Sequence, residues 1–229
     1  MQKRSFIEKY LKDLPMQALI NMVATRQKAG KPAELLRWYN DHVNLLMGCE
    51  DLAGAILYRR TLADTTAPEY VCLYDFPSPS AFAAFEASDA KERARQVMES
   101  GWGKQGIEII QRTQYITGGK WTGQASSSES VFHIQCLDMK VQTHDASDLK
   151  RWLADSLYVA ATRAGVSHYE WFASGDQQQV IVLASASAEL APAWRAWWDT
   201  ESTEPLGQAP SSVSVKWQAG YARLSAWQR

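Results

Sequence analysis

His42 is the residue of this chain best suited by type and position to proton-transfer chemistry. It lies in residues 32–47, where apolar residues recur with the period of an α-helix. Three residues define the centre of the apolar face: Leu35, Tyr39 and Leu46. On a helical wheel His42 falls within about 20° of that centre, with Trp38 beside it. An imidazole there can accept or donate a proton near neutral pH. The alternative interpretation is a core histidine hydrogen-bonded to a backbone carbonyl.

An internal repeat bears on this choice. Residues 34–41 (ELLRWYND) return as residues 148–155 (DLKRWLAD), and each copy follows a short apolar run. The shift of 114 residues aligns Trp38 with Trp152, whereas His42 aligns with Ser156. If the copies arose by duplication, a group kept in only one of them is less easily explained by packing. We therefore expect any site to be asymmetric and centred on the first copy.

The two copies share one order of elements, strand–helix–strand–strand–helix–strand. In the first copy the periodicity predicts strands over 17–25, 52–62, 69–76 and 107–117 and helices over 32–47 and 78–100. In the second it predicts strands over 130–141, 166–173, 178–185 and 212–225 and helices over 146–163 and 187–199. The charge run from Lys91 to Gln96 is interpreted as a solvated helix face.

These elements predict four segments along the chain. An N-terminal amphipathic helix (4–14) lies within residues 1–16, and the first module spans 17–118. A glycine- and serine-rich linker over 119–129 precedes the second module at 130–229.

Each βαββαβ module places both helices on one face of a four-stranded antiparallel sheet and leaves the other face bare. A single-module chain would cover that face by forming a symmetric dimer. With two modules in one chain, we expect the sheets to pack against each other. The predicted fold class is α+β, with two ferredoxin-like modules in tandem whose sheets pack face to face as a pseudo-twofold α+β barrel. The chain is expected to be a monomer or a homodimer.

Polar residues on the first strand of each module are candidates for the barrel lining. The repeat aligns Asn21 with Gln135, and His133 lies two residues before Gln135 on the same strand face. The residues of the opposite faces are more apolar and are expected under the helices: Ile20, Met22, Ile134 and Cys136. We therefore predict that Asn21, His133 and Gln135 point into the barrel and orient a ligand. The alternative is a water-filled or internally hydrogen-bonded interior.

A metal site is not predicted. His168 and Glu170 share one strand face and, with His133, would supply two imidazoles and a carboxylate. In the strand order 4-1-3-2 expected of such a module, the third strand lies between the strand of His133 and the strand of His168 and Glu170. The backbones of those two strands are therefore about 9–10 Å apart, too far for a shared metal ion. The sequence also lacks the GxSxG, glycine-rich phosphate-loop and HExxH patterns.

Composition excludes further classes. The formal net charge is −1 and no Lys/Arg cluster is dense, so nucleic acid is not an expected partner. No apolar run approaches the roughly 18 residues that span a bilayer, and no signal peptide is predicted, so no membrane is expected either. The three cysteines are widely spaced without a CxxC pair, which favours reduced thiols and a cytoplasmic location.

The segment Trp38–Val43 (WYNDHV), on a helix between the first two strands, resembles the EthD-like proteins of the dimeric α+β barrel superfamily. Tyr58–Arg60 and Tyr70–Phe76 fit the strands that follow in that family. The resemblance covers residues 17–117 at the level of motifs and 130–225 through the order of elements. It implies a cytoplasmic ferredoxin-like barrel with a small-molecule cavity. Relatives act in aromatic, polyketide or xenobiotic pathways, often without a cofactor.

The same resemblance bears on haem. Tandem-module haem enzymes of this superfamily carry their ligand histidine on a helix of the second module, and the helices predicted over 146–163 and 187–199 contain no histidine. No haem or other cofactor is therefore predicted.

The expected partner is a small, largely apolar and in some cases aromatic molecule. If the chain is catalytic, His42 is the predicted acid/base, Trp38 and Tyr39 shape the pocket, and the polar strand residues orient the ligand. The alternative is a non-catalytic binding or interaction module with a filled barrel. At this point the sequence leaves both open.

Overall fold

The computed structural model describes residues 18–61, 66–122, 130–139, 151–153, 155, 166–176, 178–187 and 213–229. The chain divides into two compact units. The first unit comprises residues 16–60, 68–114 and 223–229, and the second unit comprises the remainder. Two strands of 16 residues, β4 (Ile107–Thr122) and β8 (Val213–Gln228), contribute residues to both units. Among the described residues, no helix is long and apolar enough to cross a membrane.

The first unit contains seven further elements: β1 (Leu19–Gln27), α1 (Pro32–Leu46), β2 (Gly54–Arg60), β3 (Tyr70–Phe76), α2 (Pro79–Glu86), α3 (Asp89–Ser100) and α4 (Trp102–Gly106). Its strands follow the order β4-β1-β3-β2, and β3 pairs antiparallel with both β1 and β2. This is the 4-1-3-2 order expected from the sequence.

Helix α1 begins where the sequence predicts. Pro32 lies in its first turn, where a missing N–H costs no hydrogen bond. The N–H of Lys31 donates to Oε2 of Glu34 at 2.6 Å, which closes the turn. Four residues of the helix are buried: Leu35, Tyr39, Val43 and Leu46. They join one core cluster with residues of β3, among them Tyr70, Tyr74 and Phe76, so α1 is held flat against the sheet.

The single helix predicted over 78–100 is wrong, because the chain forms two helices there. Ser88 ends one and begins the other: its hydroxyl donates to the carbonyl of Phe85 at 2.7 Å and accepts from the N–H of Lys91 at 3.2 Å. A serine in this position competes with the helix backbone and favours a cap. Lys91 therefore lies in the first turn of α3.

The face of strand β1 that meets the helices is the opposite of the predicted one. The hydroxyls of Thr25 and Tyr39 are 2.7 Å apart, and Leu19 belongs to the core cluster that includes Tyr39. Asn21, on the same strand face as these two residues, therefore lies on the helix side of the sheet. The expectation that Ile20 and Met22 lie under the helices is wrong. Both faces of β1 are buried, so relative hydrophobicity did not distinguish them.

The second unit contains β5 (Ser130–Met139), β6 (Val166–Ser174) and β7 (Gln179–Ser187). Its strand order is β8-β5-β7-β6, again 4-1-3-2, and β4 follows β6. The helices predicted over 4–14, 146–163 and 187–199 lie almost entirely outside the described residues.

Strand β4 continues beyond its predicted end and takes in the start of the predicted linker. Gly118 and Gly119 are strand residues, and the ladder with β6 shifts register between Thr117 and Gly119. The indole of Trp171 packs so closely that a Cβ on Gly118 would lie 1.7 Å from its Cζ3 atom. The glycines therefore serve close packing rather than flexibility.

Candidate functional site

A cavity of about 120 Å³ lies in the first unit, where α1 and α3 cover strands β1, β3 and β4. Its walls are mainly apolar and aromatic, with Val23, Leu46, Phe85 and Met98 among them. An engineered apolar cavity of about 150 Å³ accepts benzene, so this space is close in size to a single aromatic ring. Exposed residues such as Ile109 also line it, so the cavity reaches the surface.

Four of the six predicted site residues line this cavity: Asn21, Trp38, Tyr39 and His42. The other two, His133 and Gln135, lie on β5 in the second unit. The predicted grouping on α1 is thus observed, with Asn21 joining it from the helix side of the sheet. Asn21 was expected to point away from the helices, and that part of the prediction is wrong.

Trp38 and His42 form a stacked pair. Their ring centroids are 4.7 Å apart and the ring planes differ by 15°. Residues four apart on a helix lie one above the other, so α1 itself sets this contact. Tyr39 meets the edge of Trp38 at 5.1 Å, and Trp102 lies 6.3 Å from it. The imidazole is therefore held in an aromatic setting with a fixed plane.

His42 is a neutral imidazole at physiological pH. Burial, and to a smaller extent the positive charges of Lys91 and Arg112, lower its pKa to about 4. The position near the C-terminal end of α1 favours a protonated ring through the helix dipole, but burial outweighs that effect. His42 can accordingly accept a proton at neutral pH, whereas it carries none to give as an imidazolium.

Three buried polar atoms on the cavity side chains have no hydrogen-bond partner within the described part of the chain. They are Oδ1 of Asn21, Nε1 of Trp38 and Nδ1 of His42. Leaving a buried polar atom unpaired costs about 1–3 kcal/mol, so such atoms are uncommon in folded proteins. Three of the six such atoms among the described residues belong to side chains that line this cavity, and polar groups of this kind in an apolar pocket are a common feature of small-molecule sites.

The two tyrosines of the cavity wall remain protonated. Burial raises the pKa of the Tyr39 and Tyr74 phenols, and the hydroxyl of Tyr39 is already paired with Thr25. Nearby on β3, burial raises the pKa of the Cys72 thiol to about 12, so it is not a nucleophile at neutral pH. His42 is thus the candidate proton acceptor among these groups.

Three cations also line the cavity: Lys91, Arg95 and Arg112. The sequence interpretation missed them, because it treated Lys91 to Gln96 as a solvated face. Arg95 fits that interpretation in part, since its guanidinium is exposed, but the Lys91 side chain is only 15% exposed. A sequence signal was present. Four cavity residues of α3 follow the i, i+3, i+4, i+7 spacing of one helix face: Lys91, Ala94, Arg95 and Met98.

The predicted polar residues of β5 are in different surroundings. Gln135 donates from Nε2 to Oε1 of Gln218 at 3.0 Å, as in the alternative of a hydrogen-bonded interior. His133 is buried opposite Ala184 and Gly220. A ligand role for either residue stays a prediction.

Strand β7 lies between β5 and β6, as expected, and so separates His133 from His168 and Glu170. The last two residues pair with each other, Nε2 to Oε2, at 3.2 Å. Within the described ranges, no group of three or more His, Cys, Asp or Glu side chains is arranged to hold a metal ion.

No protein-family model matches the sequence, and no curated protein matches it either. Solved structures do match. A candidate monooxygenase from Fusobacterium nucleatum superposes with a TM-score of 0.67 at 10% identity, covering 94% of this chain and 96% of the other. An anthrone oxidase-like protein gives a TM-score of 0.61 at 10% identity, covering 93% of both chains.

A chlorite dismutase variant from Candidatus Nitrospira defluvii gives a TM-score of 0.59 at 8% identity, covering 98% of this chain and 96% of the other. These neighbours belong to the dimeric α+β barrel superfamily. At such low identity the likeness concerns the fold alone. The chain therefore has the fold of the dimeric α+β barrel proteins, and its function must be argued from its own cavity.

Proposed function

We propose that the chain binds a small aromatic molecule in the cavity of the first unit and that His42 accepts a proton from it. The observation that carries this proposal is the set of three unpartnered buried atoms, on Asn21, Trp38 and His42. The side chains that carry them line a space of about 120 Å³ with mainly apolar walls. A few convergent polar groups in an apolar pocket are the usual form of a small-molecule site.

The Trp38–His42 pair explains how the ring would be oriented. A flat ligand can extend the stack begun by the indole and the imidazole, since offset stacking contributes about 0.5–1.5 kcal/mol beyond area burial. A small rotation of the His42 and Asn21 side chains would bring Nδ1 of His42 and Oδ1 of Asn21, both buried and unpartnered, to a hydroxyl of the ligand. Which nitrogen of His42 carries the proton depends on the tautomer.

The chemistry we propose is deprotonation without a cofactor. A neutral His42 removes a proton from an acidic O–H or C–H of the ligand, and the product is an imidazolium beside a delocalised anion. Such an anion is oxidised more readily than its neutral parent. Two structural neighbours are named for oxidations, a candidate monooxygenase and an anthrone oxidase-like protein. For this chain the proposed step is the proton transfer to His42 alone.

The second candidate is a binding protein without catalysis. The low pKa of His42 favours it, because an imidazole with a pKa of about 4 is a weak base. Both candidates use the same cavity. We also propose that each unit is a ferredoxin-like module and that the first is EthD-like, which the 4-1-3-2 strand orders support.

Phenol is a suitable first probe, since it fits the cavity volume and is neutral at pH 7. The chain has four histidines, so their imidazole C–H signals can be resolved by NMR and that of His42 identified in a His42→Gln variant. We expect phenol to shift the His42 signal while the His168 signal stays constant. A His168→Gln variant is the matched control. Saturating phenol that leaves every His42 signal unmoved would contradict the proposal.

A further inference from the structure

The charge of the cavity is one-sided. Lys91, Arg95 and Arg112 line it, and among the described residues no Asp or Glu does so. The chain as a whole carries 24 basic and 25 acidic residues, so a cationic cavity is not a consequence of composition. The arrangement of charges is specific to this site.

Two of the three cations are already neutralised by carboxylates of the helices. Nζ of Lys91 lies 2.5 Å from Oε1 of Glu86. Arg95 contacts Glu92 and Glu99, each at 2.7 Å. These acidic residues stand outside the cavity lining.

Arg112 differs from the other two cations. Within the described part of the chain its guanidinium has no hydrogen-bonded or ion-paired carboxylate. It lies on β4, exposed to solvent, and lines the same cavity as His42. Its positive charge acts against protonation of both His42 and Lys91. Mutual repulsion of this kind is relieved when an anion binds between the charges.

We infer that the cavity selects an aromatic anion, and that Arg112 binds the charged group of the ligand while the ring enters towards Trp38 and His42. This inference rests on the proposed function of the same cavity and names its ligand class. A guanidinium presents two parallel N–H donors that match the two oxygens of a carboxylate. The ligand class is therefore a single-ring aromatic carboxylate or a related planar oxyanion.

The position of Arg112 suits this role. Because the residue is exposed, a carboxylate can reach it without being fully desolvated, which would otherwise offset much of the gain. The apolar ring, by contrast, gains most from burial among aromatic side chains. The cavity thus offers an apolar interior and a cationic edge to one amphipathic molecule.

Benzoate and benzamide form the decisive pair of probes, since they share a ring and nearly a shape but differ in charge. We expect the chain to bind benzoate about tenfold more tightly than benzamide, because charge-assisted hydrogen bonds from Arg112 to a carboxylate are stronger than those to a neutral amide. Arg112→Gln should remove that preference, so that benzoate and benzamide bind with similar affinities. Arg112→Lys should keep part of it, because the charge remains while the bidentate geometry is lost.

Arg93→Gln is the matched control. Arg93 is exposed on α3 and does not line the cavity, so its replacement removes the same charge at another place. Equal binding of benzoate and benzamide by the unmodified chain would overturn the inference and leave the proposed function standing. A preference for benzoate that survives in Arg112→Gln would overturn the role of Arg112. Failure of phenol, benzamide and benzoate alike would reject the proposed function, and the inference with it.

Discussion

Trp38 and His42 lie one helical turn apart on α1 and stack with their planes 15° from parallel. Helix α1 has one histidine, His42, which is half-buried. The contact places its imidazole against the indole of Trp38, the largest aromatic side chain of the cavity lining. The indole excludes water from one face of the imidazole, and burial is the main cause of its lowered pKa. The binding and the proton chemistry proposed for the site therefore share one structural element.

Replacing Trp38 tests the stacking contribution. Trp38→Leu keeps an apolar side chain but removes the aromatic face, and we expect phenol to bind about tenfold more weakly, in line with the value of an aromatic pair. Trp38→Phe should restore most of the affinity. Titrations followed by NMR would measure both. A Leu variant that binds phenol as well as the Phe variant would show that the ring does not stack on the indole.

The depressed pKa of His42 predicts a pH-dependent stability. Because the folded-state pKa is about 4 and the ordinary value is 6.5, the unfolded chain binds more protons between these values. The free energy of unfolding should accordingly rise as pH increases from about 4 to 6.5, by at most about 3 kcal/mol. Urea unfolding of the chain and of His42→Gln at pH 4.5 and pH 7 measures this. If the two proteins respond identically to pH, His42 does not titrate as described.

Benzoate should move the same titration. A bound anion offsets the positive charges of Lys91 and Arg112, which contribute to the low pKa of His42. We expect the pKa of His42 to be higher with benzoate than with benzamide, whose binding removes water without adding charge. An NMR titration of the imidazole at saturating ligand compares the two. A lower pKa with benzoate would place the carboxylate away from His42.

Gly103 offers a way to move Trp38 without replacing it. A Cβ at this position would lie 2.7 Å from Nε1 and 2.8 Å from Cε2 of Trp38. Gly103→Ala should therefore displace the indole, weaken phenol binding and cost about 1–3 kcal/mol of stability through overpacking. Gly175→Ala is the control, since no atom lies within 4 Å of its Cβ position. Unchanged phenol affinity in Gly103→Ala would mean that the position of the indole does not matter.

The second unit has a comparable contact. A Cβ on Gly118 would lie 1.7 Å from Cζ3 of Trp171, so the indole or the strand must shift. We expect Gly118→Ala to destabilise the chain by about 3 kcal/mol, at the upper end for overpacked sites. Thermal unfolding against Gly175→Ala measures the cost. A melting temperature equal to that of the control would contradict the close packing.

Much of the architecture follows from local patterns. Helix α1, with Pro32 at its start, was predicted over 32–47, and the structure confirms it. The 4-1-3-2 strand orders followed from the order of elements. Trp38, Tyr39 and His42 could be grouped because a single helix carries them. Periodicity and turn chemistry act over a few residues, so they can be recognised in a sequence.

The remaining features depend on tertiary packing. Asn21 lies on a strand whose two faces are both buried, and only the neighbouring elements decide which face meets the helices. Arg112 belongs to a strand that pairs far beyond its predicted end. Nζ of Lys91 lies over the ring of Phe85, 5.1 Å from its centroid, and is also 2.5 Å from Oε1 of Glu86. The face of β1 that meets the helices cannot be recognised in a short window, whereas the cavity face of α3 can be, from its i, i+3, i+4, i+7 spacing.

The hydroxyl of Ser88 holds the first turn of α3, and with it the backbone from which Lys91 extends. Under the proposed function, natural variation at position 88 would therefore change which molecules the cavity accepts, although Ser88 does not line it. Two homologues that differ at position 88 but share the cavity-lining residues would be regarded as equivalent in a comparison of lining positions alone. Their ligand preferences would nevertheless diverge.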